Sequence, residues 1–255
     1  MAKHEGFGSP TRRFLIRAGW KIIQALEKLI AKHSLVGNDT FLDPAQFEWI
    51  PKLEANWRVI RQELEEVFMY RDELPNFQDI SFDQSRLSQD NKWKTYFLYG
   101  FGYRSGKNCE RCPETTKLIE RVPGMKSVLF SILAPHKHIP EHRGPYKGLL
   151  RYHLGLIVPE PRTACRIRVG NDFANWEEGK SIIFDDTYMH EVWNDTEGER
   201  AVLFMDVVRP LRFPVSLLNK FIIWLVSLSA YVQDAKKFHT TWEKKFDKIV
   251  EMSKS

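Results

Sequence analysis

Four of the eight histidines fall between Pro135 and His153: His136, His138, His142 and His153. A fifth, His190, comes just after the run SIIFDD (181–186). Neutral imidazole offers a lone pair that suits Fe(II), zinc or copper. One histidine alone is more often a satisfied surface or core residue. Histidines at the ends of separate strands in a small β-barrel can meet in one cavity, so this set is a candidate metal centre, and spacing leaves the metal open. His136 and His138 flank a turn near Pro135 and read as solvated loop residues. Asp185 and Asp186 precede the turn before His190 and read as residues that cap or orient it, one of them available as a partner for a ligand. Cys109 and Cys112 form a C-x-x-C pair, which suggests zinc or redox chemistry. Structural zinc takes four ligands, and no second pair accompanies this one. No thioredoxin-like βαβ pattern surrounds it either, so the pair reads as reduced thiols at a helix start.

The elements that must position these residues change character along the chain. Beyond Lys126, short runs rich in Ile, Leu, Val and Phe cover 127–133, 149–158, 164–169, 181–184 and 200–208. Turn residues separate them and no helical pattern intervenes. This spacing predicts an antiparallel sandwich or barrel such as a jelly roll. Upstream, 11–32 has the pattern of a basic amphipathic helix, with Leu15, Ile22, Ile23, Leu26, Leu29 and Ile30 on one face. Leu53, Trp57, Ile60, Leu64 and Val67 form the core-facing stripe of a second helix. Residues 71–95 read as loop, and PETTKLIERVPG (113–124) as a short helix bounded by prolines. The chain turns helical again after Pro214, where the apolar run 221–232 is too short to span a bilayer of about 30 Å. It reads as an interfacial or packed helix. Three segments result: a basic N-terminal helix (1–40), a β-domain (41–212) and a C-terminal helical segment (213–255).

Hydrophobic residues make up 43% and charged residues 28% of the 255, which excludes disorder, collagen-like repeats and a coiled-coil rod. Three cysteines exclude a disulfide scaffold and suit a reducing compartment. The net charge of +5 is concentrated at the ends, because 34–232 holds 25 basic and 27 acidic residues. Nothing in the body suggests a nucleic-acid groove. Basic ends beside apolar faces point to an anionic membrane surface, with solubilising charge as the alternative. Met1 to Pro10 are polar and lack the apolar core of a secretory signal. The expected location is cytoplasmic, extending to peripheral contact with the inner face of the cytoplasmic membrane.

Several motifs occur together and in order: HRGPYKGLLRYHLGLIVP (142–159), CRIRV (165–169), WEEGKSIIFDDTYMHEVWN (176–194) and RAVLFMDVVRP (200–210). They resemble the aspartyl/asparaginyl β-hydroxylase family, strongly over about 126–210 and more loosely through LEANW (53–57) and WKTYFLYGFG (93–102). With CPETT added, the set is most similar to the bacterial lipid A 2-hydroxylase branch. The resemblance implies a dioxygenase using Fe(II), 2-oxoglutarate and O2. It implies a mainly β core with flanking helices (α+β), a double-stranded β-helix of jelly-roll, cupin-like type with amphipathic helices at both ends. By the same resemblance His142 and His190 are the iron ligands. Gly144 stands where related oxygenases carry a third, carboxylate ligand; the animal β-hydroxylases share this pattern, whereas the lipid branch is expected to carry Asp. Arg200 and Ser131 match the residues for the distal carboxylate of 2-oxoglutarate, and Arg151 and His153 those for its C1 carboxylate. His153 is then a hydrogen-bonding residue; its spacing alone would equally allow a metal ligand.

The expected activity is hydroxylation of an acyl chain on a membrane lipid, either lipid A-like or an amino lipid. One alternative is hydroxylation of an aspartyl, asparaginyl or other amino-acid side chain in a peptide, a protein or a small metabolite. Another is a non-catalytic, metabolite-binding β-barrel. Retention of Ser131, His142, Arg151, His153, His190 and Arg200 together argues against the last.

Overall fold

A computed structural model describes residues 25–80 and 86–252. Three strands precede the barrel: β1 (Phe41–Leu42), β2 (Trp93–Gly100) and β3 (Tyr103–Arg104). Eight more follow: β4 (Met125–Leu133), β5 (Lys137–His142), β6 (Leu149–Ile157), β7 (Cys165–Val169), β8 (Asp172–Asn175), β9 (Ser181–Phe184), β10 (His190–Asn194) and β11 (Arg200–Val208). They form one sheet of order β1-β9-β6-β11-β4-β2-β3 and another of order β5-β10-β7-β8. All ladders between these strands are antiparallel. From β4 onward the chain alternates between the two sheets except at the β7–β8 hairpin, which stays in the smaller sheet, and this is the winding of a double-stranded β-helix. The expected jelly roll is therefore present, and β1, β2 and β3 extend the edges of its larger sheet.

The two-residue period of the strands divides the side chains of this larger sheet between two cores. Leu150, Tyr152 and Leu154 of β6 join Leu203 and Met205 of β11 and Phe130 of β4 on one face. That face packs on helices α2 (Ile50–Ala55), α3 (Trp57–Phe68), α5 (Gly106–Arg111) and α6 (Pro113–Ile119). The opposite face, with Val202, Leu133, Phe184 and Trp93, meets Ile139, Ile167, Val169 and Val192 from the smaller sheet. This second core is the barrel interior. Ser131 opposes Val202, Phe204 opposes His153, and Arg151 opposes Phe184, so the polar residues of the inner face lie among its apolar ones.

Several expectations change in detail. The stripe Leu53, Ile60, Leu64 and Val67 is buried and Trp57 packs on it, but Asn56 divides the helix into α2 and α3. Residues 71–95 are not simply loop: they hold a 3-10 turn, helix α4 (Phe77–Ile80) and the start of β2. Six of the eight β2 residues are buried, so the strand lacks the polar alternation that would mark it. The apolar run 221–232 is not one helix, because helix α7 (Val215–Ser227) ends within it and helix α8 (Ala230–Met252) begins after a break. His138 lies in β5 rather than in a loop, with Nε2 2.7 Å from Glu191 and its ring stacked on Trp193. His136 is a loop residue, exposed beside Glu197. Of the N-terminal helix, 25–33 is helical (α1) and its expected first part, 11–24, lies outside the described residues. Among the described residues no helix is long and apolar enough to cross a membrane.

Candidate functional site

His142 ends β5 and His190 begins β10, and the antiparallel register places them directly opposite one another. Their ring centroids are 4.1 Å apart. Nδ1 of His142 lies 2.8 Å from the Pro140 carbonyl, and Nδ1 of His190 lies 3.0 Å from that of Tyr188. A carbonyl only accepts, so each Nδ1 donates and each Nε2 keeps its lone pair. Burial pushes His142 down to about 4. Burial and the neighbouring His142 push His190 down to about 3. Both are neutral near pH 7, the state in which imidazole binds a metal.

The position after them in the H-x-G triplet is closed by another chain segment. A Cβ on Gly144 would stand 2.2 Å from Cγ and Oδ2 and 2.3 Å from Oδ1 of Asp186. Glycine is required there because the Asp186 carboxylate occupies the space of a side chain at 144. The Gly144 amide also donates to the Asp186 carbonyl over 2.6 Å. Asp186 pairs with Arg151 at 3.0 Å, yet burial raises its pKa to about 6. Its neighbour Asp185 has a different task. It accepts from the amide and hydroxyl of Thr187 and pairs with Lys147 and Arg209, all of them buried, which fixes the turn leading to His190. The sequence pointed to both acids but did not divide their roles.

A small pocket is lined by His142, His190, Ser131, Arg151, His153 and Arg200 together with apolar residues. All six sequence-derived site residues therefore share one space. Ser131 Oγ accepts from Trp93 Nε1 at 3.0 Å, and Trp93 stacks on Phe77 with centroids 3.7 Å apart. Arg151 Nε also pairs with Asp206 at 3.1 Å, and the guanidinium lies over the Phe204 ring. His153 is buried with neither ring nitrogen partnered, and burial holds its pKa well below the ordinary histidine range. Arg200 is only 2% exposed, and its Nε and Nη1 have no hydrogen-bond partner. Its guanidinium lies 4.4 Å from the centroid of the Trp176 ring. Among the described residues no carboxylate pairs with it, and burial lowers its pKa to about 10. Trp176 is buried with an unpartnered indole N–H, and spacing gave no sign of it.

The C-x-x-C pair does not join this site. Cys109 and Cys112 are free and buried in the helix-packed core, and burial raises both thiols. Among the described residues no three His, Cys, Asp or Glu side chains converge as a metal cage.

A double-stranded β-helix with paired histidines at adjacent strand ends and an unpaired arginine in its interior has the architecture of a cupin-like jelly-roll barrel. The chain belongs to the Aspartyl/Asparaginyl beta-hydroxylase family, whose sequence model matches residues 54–210, and it is a hydroxylase. It is 44% identical over 236 residues to the ornithine lipid ester-linked acyl 2-hydroxylase of Rhizobium tropici, covering 92% of this chain and 82% of that protein. It is 33% identical over 175 residues to the human aspartyl/asparaginyl beta-hydroxylase, covering 64% of this chain but 21% of that protein. Among solved structures, a cupin domain of an XRE family transcriptional regulator from Enterobacter cloacae matches 47% of this chain and 99% of its own, at 12% identity and a TM-score of 0.33.

Proposed function

We propose that the protein is an Fe(II)- and 2-oxoglutarate-dependent dioxygenase that hydroxylates an acyl chain of a membrane lipid at the inner face of the cytoplasmic membrane. The observation that carries the co-substrate is Arg200. An isolated buried charge costs several kcal/mol unless it is paired, so this unpaired guanidinium favours an anion as ligand. His142 and His190 would hold the iron. Bound there, Fe(II) supplies activation of O2, with the electrons drawn from decarboxylation of 2-oxoglutarate to succinate.

The residues of the chain divide the remaining work. Arg200 presents a planar fork to the distal carboxylate. The Ser131 hydroxyl accepts from Trp93 and so has its own proton free to donate to the same carboxylate. His153 and Arg151 serve the C1 carboxylate, with Arg151 held in place by Asp186 and Asp206. The Asp186 carboxyl packs against Gly144, where the triplet lacks a side chain. Ile139, Ile167, Phe184, Val192 and Phe204 make the rest of the lining apolar and limit water.

The acyl-lipid substrate rests on the similarity to the Rhizobium protein, which runs through 92% of the chain and so beyond the family segment 54–210. In this reading 41–212 is the catalytic domain, and 1–40 and 213–255 bring it to the membrane. The test is mass spectrometry of total lipids from cells expressing the wild type or His190→Ala. A gain of one oxygen on an acyl chain, seen with the wild type alone, is the expected result. Its absence, with folded protein and ornithine- or lipid A-type lipids present, would transfer the assignment to an amino-acid side chain.

A further inference from the structure

Helix α7 has an apolar face that is left exposed among the described residues. Val215, Asn219 and Ile223, spaced by one turn, are buried. Leu217, Phe221, Trp224, Leu225 and Leu228, together with Phe213 just before the helix, are between 47% and 77% exposed. Positions 217, 221, 224 and 228 follow i, i+4, i+7, i+11, so they form a continuous stripe rather than scattered residues. Contiguous apolar surface of this kind marks an interaction site.

We propose that this stripe is a docking surface for an anionic lipid bilayer, with α7 lying in the interface. Three observations select that occupant. At about 1.5 Å per residue, α7 is roughly 20 Å long, too short for a hydrocarbon core of about 30 Å, so it lies in the plane instead of spanning. No Asp or Glu occurs between Asp206 and Asp234, whereas Arg212 and Lys220 are exposed there. Two copies joined face to face here by a two-fold axis would oppose these cations with no acid from this stretch; an anionic surface complements them. Phe221 and Trp224 are side chains that favour the headgroup boundary.

The surface is tied to the catalytic site through buried polar contacts. Asn219 Nδ2 donates to the Gly148 carbonyl at 3.0 Å, and the Tyr146 hydroxyl donates to Asn219 Oδ1 at 2.7 Å. A Cβ at Gly148 would stand 2.0 Å from that Oδ1, so the close approach requires glycine. The loop thus clamped, 143–148, follows directly on His142. Val215 also packs with Leu211 and Ile30, which joins α1 to the same flank. The sequence before α1 carries Lys3, Arg12, Arg13, Arg17 and Lys21 against Glu5. Docking through α7 would therefore bring the loop beside the iron ligands to the lipid surface.

This inference deepens the acyl-lipid reading and rests on it, but its test does not require turnover. The full chain is sedimented with vesicles of phosphatidylcholine alone or of phosphatidylcholine mixed with phosphatidylglycerol. The wild type should bind the mixed vesicles preferentially. Phe221→Glu/Trp224→Glu, at exposed positions, should weaken binding about tenfold or more. Lys220→Gln should weaken it about fivefold in the mixed vesicles alone. Both variants should hydroxylate detergent-dispersed lipid as the wild type does. Unchanged vesicle binding in the double variant overturns the proposal. So does a wild-type dimer that the double variant converts to monomer while vesicle binding persists, since a second copy would then cover the stripe. Vesicle binding without oxygen incorporation into detergent-dispersed lipid supports docking and defeats the substrate assignment; incorporation without vesicle binding does the reverse.

Discussion

Replacement of Arg200 by methionine should make the ligand-free protein more stable while removing its response to 2-oxoglutarate. Burial lowers the guanidinium from its ordinary 12.5 to about 10. A base with a depressed folded-state pKa destabilises the fold wherever it is charged, so the penalty is present in full below pH 10. At about 1.4 kcal/mol per pK unit it amounts to roughly 3 kcal/mol near neutrality. The stacking of Arg200 on Trp176 offsets about 1–2 kcal/mol of that. Methionine keeps much of the apolar stem, which leaves a net gain of about 1–2 kcal/mol and a rise of roughly 5 °C in Tm. The assay is anaerobic thermal unfolding with Mn(II), with and without 2-oxoglutarate. At about a hundredfold excess over Kd the co-substrate should stabilise the wild type by about 2.7 kcal/mol. The methionine variant should show no such shift. A variant that loses stability yet still responds to 2-oxoglutarate would refute both the charge argument and the anion role of Arg200.

Two further predictions test other parts of the molecule. Gly144→Ala drives a Cβ into the Asp186 carboxyl, so thermal unfolding should show a loss of about 2 kcal/mol. Gly144→Asp combined with Asp186→Gly exchanges the two side chains across the same space and should recover most of that loss; no recovery would show that the contact is not the cause. His239, buried in α8 with both nitrogens unpartnered, is pushed down to about 4 by burial. The unfolded chain binds that proton more readily, so stability is lost as pH falls from about 6.5 towards 4, by about 2 kcal/mol at pH 5 from this residue. Urea unfolding of His239→Phe at pH 7.5 and 5 should show a smaller acid-induced loss than the wild type; an equal loss would remove His239 as a source of acid sensitivity.

The larger sheet was more legible in the sequence than the smaller one. Strands β4, β6, β9 and β11 are apolar runs, because their two faces are buried against two different cores. Lys137–His142 and His190–Asn194 are short and polar, and Pro140 reads as a breaker. These strands hold their outward side chains in an ionic and aromatic layer, with His138 on Trp193 and Arg168 between Glu141 and Glu191. Apolar content therefore does not reveal them, although the two histidines stand on them. Glu63 was hidden for the opposite reason. It lies on the core side of α3 and accepts from the amides of Glu114 and Thr115 and the hydroxyl of Thr115, capping α6 from within the core. A helical stripe records which positions face inward, not what a buried carboxylate finds there. The Asp186–Gly144 contact joins residues far apart in the chain and could not be read from the spacing of either.

Charge balance in the cavity also bears on the choice of co-substrate. The histidines that line it are neutral, and Arg151 is compensated by Asp186 and Asp206. Arg200 is the cavity cation that remains without a carboxylate among the described residues. A divalent metal, held as proposed by two neutral imidazoles, would bring positive charge of its own to the other part of the lining. A monocarboxylate could answer the metal or Arg200, but one end would then stay uncompensated in a largely apolar space. A dicarboxylate answers both, with one anionic group at each. Under the proposed function, selectivity for a dianion would follow from keeping the histidines neutral and leaving Arg200 unpaired, and the cost of that unpaired charge in the ligand-free protein is the stability that methionine at 200 should restore.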